Sequence, residues 1–191
     1  ASGPVHAVYA SLPPFGAGML ALDASRRMSV PMLIDMRDAW SQVCIGPFPS
    51  YVHYLTTLAE EGKVLGSADR IVTVTPQLSA QFLRVQPKLK PEQMVVLPNG
   101  YDHAQAAPIT ASASSSSPSD ETFDVAYVGS YYYDPRYAQS VAWYRTPPHR
   151  WLHYKPSNYS WLHRSPEFFF RAWAKLKEIK PQIASRLRYH H

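Results

Sequence analysis

The sequence predicts an α/β fold in which a parallel sheet carries helices on both faces. Short apolar segments alternate with longer segments of helical periodicity through the first hundred residues. This alternation is typical of βαβ units, whose strands pair in parallel. The chain has 191 residues, of which 46% are hydrophobic, and this is enough to bury a core.

The first part of the chain is expected to contain four strands joined by helices. Apolar runs bounded by turn-forming residues place these strands near residues 5–10, 31–36, 70–75 and 94–97. Segments with helical spacing lie between them, at residues 16–29, 50–68 and 76–86. Pro76 begins the third helix, where its missing N–H group is not needed.

An Ala/Ser/Pro-rich stretch, residues 104–122, divides the chain into two parts. Its composition cannot bury enough apolar surface to offset the entropy of ordering, so we expect a flexible linker. The strand pattern resumes in "FDVAYVGS", which starts at Phe123. The sequence therefore predicts one domain over residues 1–103 and the start of a second over residues 123–191.

The basic charge is concentrated in the last third of the chain. Residues 1–103 sum to zero, residues 104–130 carry −3 and residues 131–191 carry +8. No nucleic-acid-binding module accompanies this charge, so nucleic acid is not an expected partner. An anionic ligand or a membrane surface is the more economical interpretation.

Residues 131–163 interleave ten aromatic side chains with arginine and lysine. Such an insertion can pack its own aromatics at the domain edge, act as a lid over sugar or lipid, or form a patch at the headgroup level of a membrane. His149 and His153 are four residues apart, but no Glu follows the first histidine. We therefore predict no metal site there.

The single cysteine, Cys44, excludes an internal disulfide and fits a reducing compartment. No stretch approaches the roughly 18 uninterrupted apolar residues of a transmembrane helix. We expect a cytoplasmic protein, with peripheral contact at the inner face of the membrane as an option.

Six segments, taken in their order along the chain, resemble segments of a known enzyme family: "YASLPP", "LIDMRDAW", "ADRIVTVTPQLSAQF", "VVLPNGYD", "FDVAYVGS" and "RSPEFFFRAWAKL". Together they resemble the retaining glycosyltransferases of family 4. The resemblance implies a GT-B fold, in which two Rossmann-like domains face each other across a cleft. It implies transfer of a sugar from a nucleotide-sugar donor to a glycan or lipid-linked acceptor, with retention and without a cofactor or bound metal.

The resemblance also implies that the chain is a fragment. The first strand and Gly-rich loop of the family precede the matching segments, and its paired glutamates and basic phosphate clamp would follow "LRYHH". His190 and His191 of that segment can be strand residues or the start of a purification tag. A fragment of this kind is expected to be inactive alone.

Candidate site residues follow the predicted strands, because ligands of parallel α/β sheets bind outside the carboxyl ends of the strands. Arg37 and Asp38, which come after Asp35, are the candidate catalytic pair: Arg37 can meet donor phosphate or an acceptor hydroxyl, and Asp38 can orient it. The alternative is a plain exposed ion pair between the two. The candidate substrate-binding residues are Ser11, Pro13, Thr75, Asn99, Gly129 and Ser130.

For three positions the sequence supports a more specific prediction. Asn99 lies in a turn that leads toward the hinge between domains in the family that the chain resembles. Gly129 and Ser130 form a turn directly after a strand, where backbone N–H groups can approach a diphosphate. Trp40 is expected to pack in the core rather than to stack on a sugar.

Two other functions stay open from the sequence. The first is a nucleotide-sugar 2-epimerase, which resembles the same two-domain fold. The second is a non-catalytic module that binds a glycan or a membrane through its aromatic, basic insertion.

Overall fold

The computed structural model describes residues 3–43, 47–102, 122–129, 147–156 and 165–190. The chain divides into two compact units, one of Ala1–Gly100 with Thr146–Asn158 and one of Tyr101–Arg145 with Tyr159–His191. The linker expected at residues 104–122 lies outside the described residues except for its last residue. Cys44 and most of the insertion expected at 131–163 also lie outside them.

The first unit contains a four-stranded parallel sheet. Its elements in chain order are β1 (Val8–Leu12), α1 (Gly16–Met28), β2 (Met32–Met36), α2 (Tyr51–Gly66), β3 (Arg70–Thr73), α3 (Pro76–Val85) and β4 (Met94–Val96). The strands lie in the order β1-β2-β3-β4, and every neighbouring pair is parallel. The predicted α/β fold with a parallel sheet is therefore confirmed.

Two strands, the first and the third, differ from their expected bounds by two residues or more, and each difference has a local cause. The first strand begins later and extends to Leu12, because its register with β2 runs from Val8 opposite Met32 to Leu12 opposite Met36. Ser11 thus lies within the strand and not after it. The third strand ends at Thr73, because Thr75 is the N-cap of α3.

One face of the sheet forms the hydrophobic core with the helices. Along β2 the buried core residues alternate, at Met32, Ile34 and Met36, as the two-residue period of a strand requires. Helices α1, α2 and α3 contribute buried side chains to the same core, whose members include Leu12, Ile34, Met36, Ile71, Leu22, Val64, Leu65 and Phe82. The alternate strand positions, among them Tyr9, Ser11 and Asp35, face the other side. A helical layer on that side stays a prediction.

Two loops at the carboxyl edge of the sheet are fixed by packing. Phe15 precedes α1 and Trp40 follows β2, and their rings stack with centroids 5.1 Å apart and planes within 6°. Trp40 is buried in the core, as expected. The loop after β2 is also held by Glu61 of α2, whose buried carboxylate accepts hydrogen bonds from the Ser41 N–H at 2.7 Å and from Gln86 Nε2 at 2.7 Å.

The described residues 147–156 belong to the first unit. Phe48 and Tyr154 form an antiparallel bridge, in which the Phe48 N–H donates at 2.8 Å and the Tyr154 N–H donates at 3.0 Å to the partner carbonyl. A single 3-10 turn, Pro148–Arg150, lies on the N-terminal side of this bridge. The bridge anchors the segment beside the start of α2.

The second unit contains a small βαβ arrangement in its described residues. Strand β5 (Phe123–Ala126) pairs in parallel with β6 (Leu187–His190). Helix α4 (Glu167–Ile179) and the short helical turn Pro181–Ala184 lie between them in the chain. Rings of α4 pack against Tyr189, and His190 lies in β6, where its Nε2 is 2.7 Å from Asp124 Oδ1. None of the helices within the described ranges is both long enough and apolar enough to span a membrane.

Candidate functional site

A group of polar side chains lies toward the carboxyl ends of β1 and β2, on the face opposite the core. Ser11 of β1 stands directly beside Asp35 of β2 in the parallel register. Tyr9 lies two residues before Ser11 and therefore on the same face of the sheet. Alternation along the strands thus brings two hydroxyl groups to one carboxylate.

Asp35 is the centre of this group. It is only 6% exposed, and its Oδ2 accepts hydrogen bonds from Tyr9 Oη at 2.8 Å and from Ser11 Oγ at 3.2 Å. Its Oδ1 lies 3.5 Å from Arg37 Nη1. A buried carboxylate is costly unless donors surround it. The two hydroxyls and the guanidinium supply those donors.

Arg37 is held from two sides. Its backbone N–H donates to the Leu12 carbonyl at 2.9 Å, which continues the ladder one residue beyond β2. Its Nη1 faces Asp35, and its Nη2 donates to Asn99 Oδ1. The side chain is 36% exposed. Because a guanidinium has five N–H donors, these two bonds leave donors for a ligand at the surface.

Asn99 reaches Arg37 from the segment that follows β4. The Leu97 N–H donates to the Thr73 carbonyl at 2.8 Å, so the pairing of β3 with β4 extends past Val96. This directs the chain along the same edge of the sheet. Three residues predicted from the sequence, Ser11, Arg37 and Asn99, therefore meet in one cluster.

The cluster also changes the acidity of Tyr9. The hydrogen bond from its hydroxyl to Asp35 raises the pKa of Tyr9 above its ordinary value of 10.0. Burial and the negative charge of Asp35 act in the same direction, whereas Ser11 and the positive charge of Arg37 oppose them. The phenol is thus kept protonated and acts as a donor to the carboxylate.

A comparison with known protein families places this geometry in context. The model of the family described as "Glycosyl transferase 4-like domain" matches residues 1–100, which is more than half of the chain. The chain belongs to the glycosyl transferase 4-like family. The matched range contains the whole cluster around Asp35. No curated protein matches the chain.

Membership in this family identifies the general function of the chain. It is a glycosyltransferase domain, a class of protein that uses a sugar donor and an acceptor. The expected resemblance to family 4 is thereby confirmed at this level. The cluster around Asp35 lies where ligands of parallel α/β sheets bind.

Asp38 takes a different place from the one expected of an orienting partner. It is exposed, and no ion pair joins it to Arg37 within the described part of the chain. Asp35 and Arg37 are two residues apart and share a face at the end of β2, whereas Asp38 lies beyond the strand. Asp35 and Asn99 orient the guanidinium instead. A catalytic role for Asp38 itself stays a prediction.

The structure describes three of the other four candidate residues, Pro13, Thr75 and Gly129. Pro13 is exposed in the loop after β1. Thr75 caps α3, and its Oγ1 accepts a hydrogen bond from the Leu78 N–H at 3.1 Å. Gly129 belongs to the second unit, and Ser130 lies outside the described residues. Their roles in substrate binding stay predictions.

The described ranges contain no group of three His, Cys, Asp or Glu side chains arranged to hold a metal ion. His149 and His153 pack as neighbouring rings with centroids 6.4 Å apart.

Sequence reasoning missed Tyr9 and the central position of Asp35. The sequence did contain a pattern that indicates both residues. Tyr9 and Ser11 are two residues apart in one strand, and Asp35 and Arg37 are two residues apart at the end of the next strand, so each pair shares a face of the sheet. The registered pairing of Ser11 with Asp35 is the additional fact that only the structure supplies.

Proposed function

We propose that the glycosyl transferase 4-like domain is part of an enzyme that moves a sugar from a nucleotide-sugar donor to an acceptor hydroxyl with retention. The observation that carries the proposal is Arg37, a partly exposed cation fixed by Asp35 and Asn99 at the carboxyl edge of a parallel sheet. Family membership supplies the reaction class.

The chemistry needs a positioned cation. When a sugar leaves its nucleoside diphosphate, negative charge grows on the diphosphate while positive charge grows on the sugar ring. Donors that are fixed before the reaction stabilise such charge without further reorganisation. In our proposal Arg37 donates to an oxygen of the donor phosphates or of the acceptor, and Asp35 keeps the guanidinium in place.

Turnover of the whole protein that contains this chain provides the test. The protein is incubated with a panel of uridine and guanosine diphosphate sugars, and the released nucleoside diphosphate is measured. We expect Arg37→Ala to lower turnover by about 10²–10³. Asp35 keeps its hydrogen bonds from Tyr9 and Ser11, so the loss in the free energy of unfolding should be only about 1 kcal/mol. The change in KM for donor or acceptor identifies the substrate that Arg37 contacts.

Arg70→Ala is the matched control. Arg70 is an exposed arginine of the same sheet, but it begins β3 and so lies at the amino edge. We expect this variant to keep normal turnover. Normal turnover of Arg37→Ala, or an equal loss in both variants, would contradict the role of Arg37.

The same assay tests two finer parts of the proposal. The anomeric configuration of the product, read by NMR, must match that of the donor if the reaction is retaining. We also propose that residues 1–191 alone do not turn over donor, and the isolated chain is assayed beside the whole protein.

A further inference from the structure

The first unit carries a second surface that has no part in the cluster around Asp35. It consists of residues 47–55, at the start of α2, together with residues 147–156, and we call it the α2-start surface. The segment 147–156 lies outside the range matched by the family model, so that match does not account for it.

The α2-start surface rests on a layer of aromatic rings. The ring centroids of Tyr51, Tyr54 and Tyr154 lie between 4.7 and 5.9 Å apart. Phe48 packs its edge against Tyr54 at 5.5 Å and shares the two-bond bridge with Tyr154. These contacts fix residues 147–156 against the helix.

Large apolar side chains stand exposed around this layer. Five of them are between 43% and 72% exposed, namely Tyr51, Val52, Leu55, Trp151 and Leu152. Concentrations of exposed apolar residues of this kind mark places where a protein meets a partner or a membrane. The surface also contains two cations, Arg150 and Lys155, and no acidic residue.

We propose that the α2-start surface docks on a lipid bilayer that contains anionic lipids. Its composition decides between the possible partners. Val52 and Leu152 are aliphatic and offer no group for a sugar hydroxyl, whereas they can enter the acyl boundary of a bilayer. Tyrosine and tryptophan suit the interface between headgroups and acyl chains. Arg150 and Lys155 complement anionic headgroups.

Docking there would bring the candidate site toward the bilayer. Helix α2 follows the loop after β2, so its start lies at the carboxyl edge of the sheet, as Arg37 does. An acceptor embedded in the membrane would then be presented near Arg37. The docking itself does not depend on sugar transfer, and its test needs no substrate.

Vesicle co-sedimentation of the full chain tests the proposal. Vesicles of phosphatidylcholine alone are compared with vesicles that also contain phosphatidylserine or phosphatidylglycerol. We expect binding to the anionic vesicles that weakens as salt is raised. Replacing Trp151 and Leu152 together by serine should lower binding about tenfold or more, because it removes the apolar groups that enter the bilayer. Arg150→Gln and Lys155→Gln should each lower it about fivefold.

Matched control variants distinguish binding through the α2-start surface from non-specific binding of the protein to vesicles. Leu20→Ser removes an equally exposed leucine of α1, and Arg26→Gln removes an exposed cation near the end of the same helix. Both controls should bind vesicles like the unchanged chain. Circular dichroism and melting curves confirm that all variants fold.

Three outcomes would overturn the proposal. One is no binding to anionic vesicles, and another is an equal loss in the Leu20 and Arg26 controls. The third is binding of a soluble glycan that the Trp151 and Leu152 variant abolishes while vesicle binding is unaffected.

Discussion

Arg37 Nη2 donates a hydrogen bond to Asn99 Oδ1, although the two residues are 62 positions apart in the chain. Arg37 follows β2 and Asn99 follows β4, so the bond joins the ends of two strands that are not neighbours in the sheet. It also gives Arg37 a neutral partner on one side and the Asp35 carboxylate on the other. The guanidinium is thereby held in place by two partners, of which only one is a carboxylate that neutralises its charge.

This arrangement predicts different effects for two changes at Asn99. Asn99→Ala removes one hydrogen bond and should lower kcat/KM by about 3–10-fold. Asn99→Asp keeps an acceptor but adds a second carboxylate, which competes with an anionic substrate for the guanidinium. We therefore expect a larger loss from Asn99→Asp than from Asn99→Ala. Because Asn99 is exposed, the melting temperatures of both should change little.

Kinetics of both variants beside melting curves check this prediction. If Asn99→Asp is as active as Asn99→Ala, or more active, then Arg37 does not act as a free positive charge toward the substrate.

Asp35→Asn tests the centre of the cluster. The amide keeps the shape of the carboxylate but turns one acceptor into a donor that faces hydroxyl or guanidinium donors. We expect a loss of about 1.5–3 kcal/mol in the free energy of unfolding, the range for hydrogen bonds to a charged group. Urea unfolding measures this loss.

Asp38→Asn is the stability control for that change. Asp38 is exposed three residues further along the chain, so its replacement should stay within about 0.5 kcal/mol. Equal losses in the two variants would show that Asp35 gains nothing from its hydrogen bonds to Tyr9, Ser11 and Arg37.

The parallel sheet was predictable because the pattern that specifies it is local. Each apolar run is short, and each of the first three is followed by a segment with helical periodicity, so the local pattern along the chain predicted the four strands. The edge that carries Arg37 was also predictable, because carboxyl ends of parallel strands share one edge. Trp40 was predictable as core because a large ring beside a buried strand usually packs.

The partners within the cluster were not predictable from the sequence. Whether Arg37 pairs with Asp35 or Asp38 depends on where β2 ends, and strand boundaries are set by pairing with β1. The approach of Asn99 depends on the single bond from Leu97 to Thr73. The packing of Tyr154 on α2 joins residues about a hundred positions apart, and neither segment has a sequence pattern that predicts contact with the other.

Glu61 provides a prediction about stability alone. Its carboxylate is fully buried and satisfies both the Ser41 N–H and Gln86 Nε2. Glu61→Ala should cost about 1–3 kcal/mol for each donor left without a partner. Glu60→Ala, one residue away and exposed, should change the free energy of unfolding by at most about 0.5 kcal/mol. Similar losses in the free energy of unfolding for the two variants, measured by urea unfolding, would contradict the stabilising role of the Glu61 hydrogen bonds.

The pH dependence of stability tests the bond between Tyr9 and Asp35. The hydrogen bond to Asp35 is the main reason that the pKa of Tyr9 is raised above 10.0. The folded protein therefore holds the phenolic proton more tightly than the unfolded chain does. The stability from this bond is fully present below pH 10 and is lost as the pH rises through the raised pKa.

Melting temperatures of the unchanged chain and of Tyr9→Phe, measured from pH 7 to pH 11, show this effect. Phenylalanine cannot donate the hydrogen bond and does not titrate. We expect the unchanged chain to be the more stable of the two at pH 7–9, and its advantage to shrink above pH 10 as tyrosinate forms beside the Asp35 carboxylate. In an Asp35→Asn background the same comparison should show a weaker trend, because the main cause of the raised pKa is gone. An advantage that is constant up to pH 11 would mean that Tyr9 and Asp35 are not coupled.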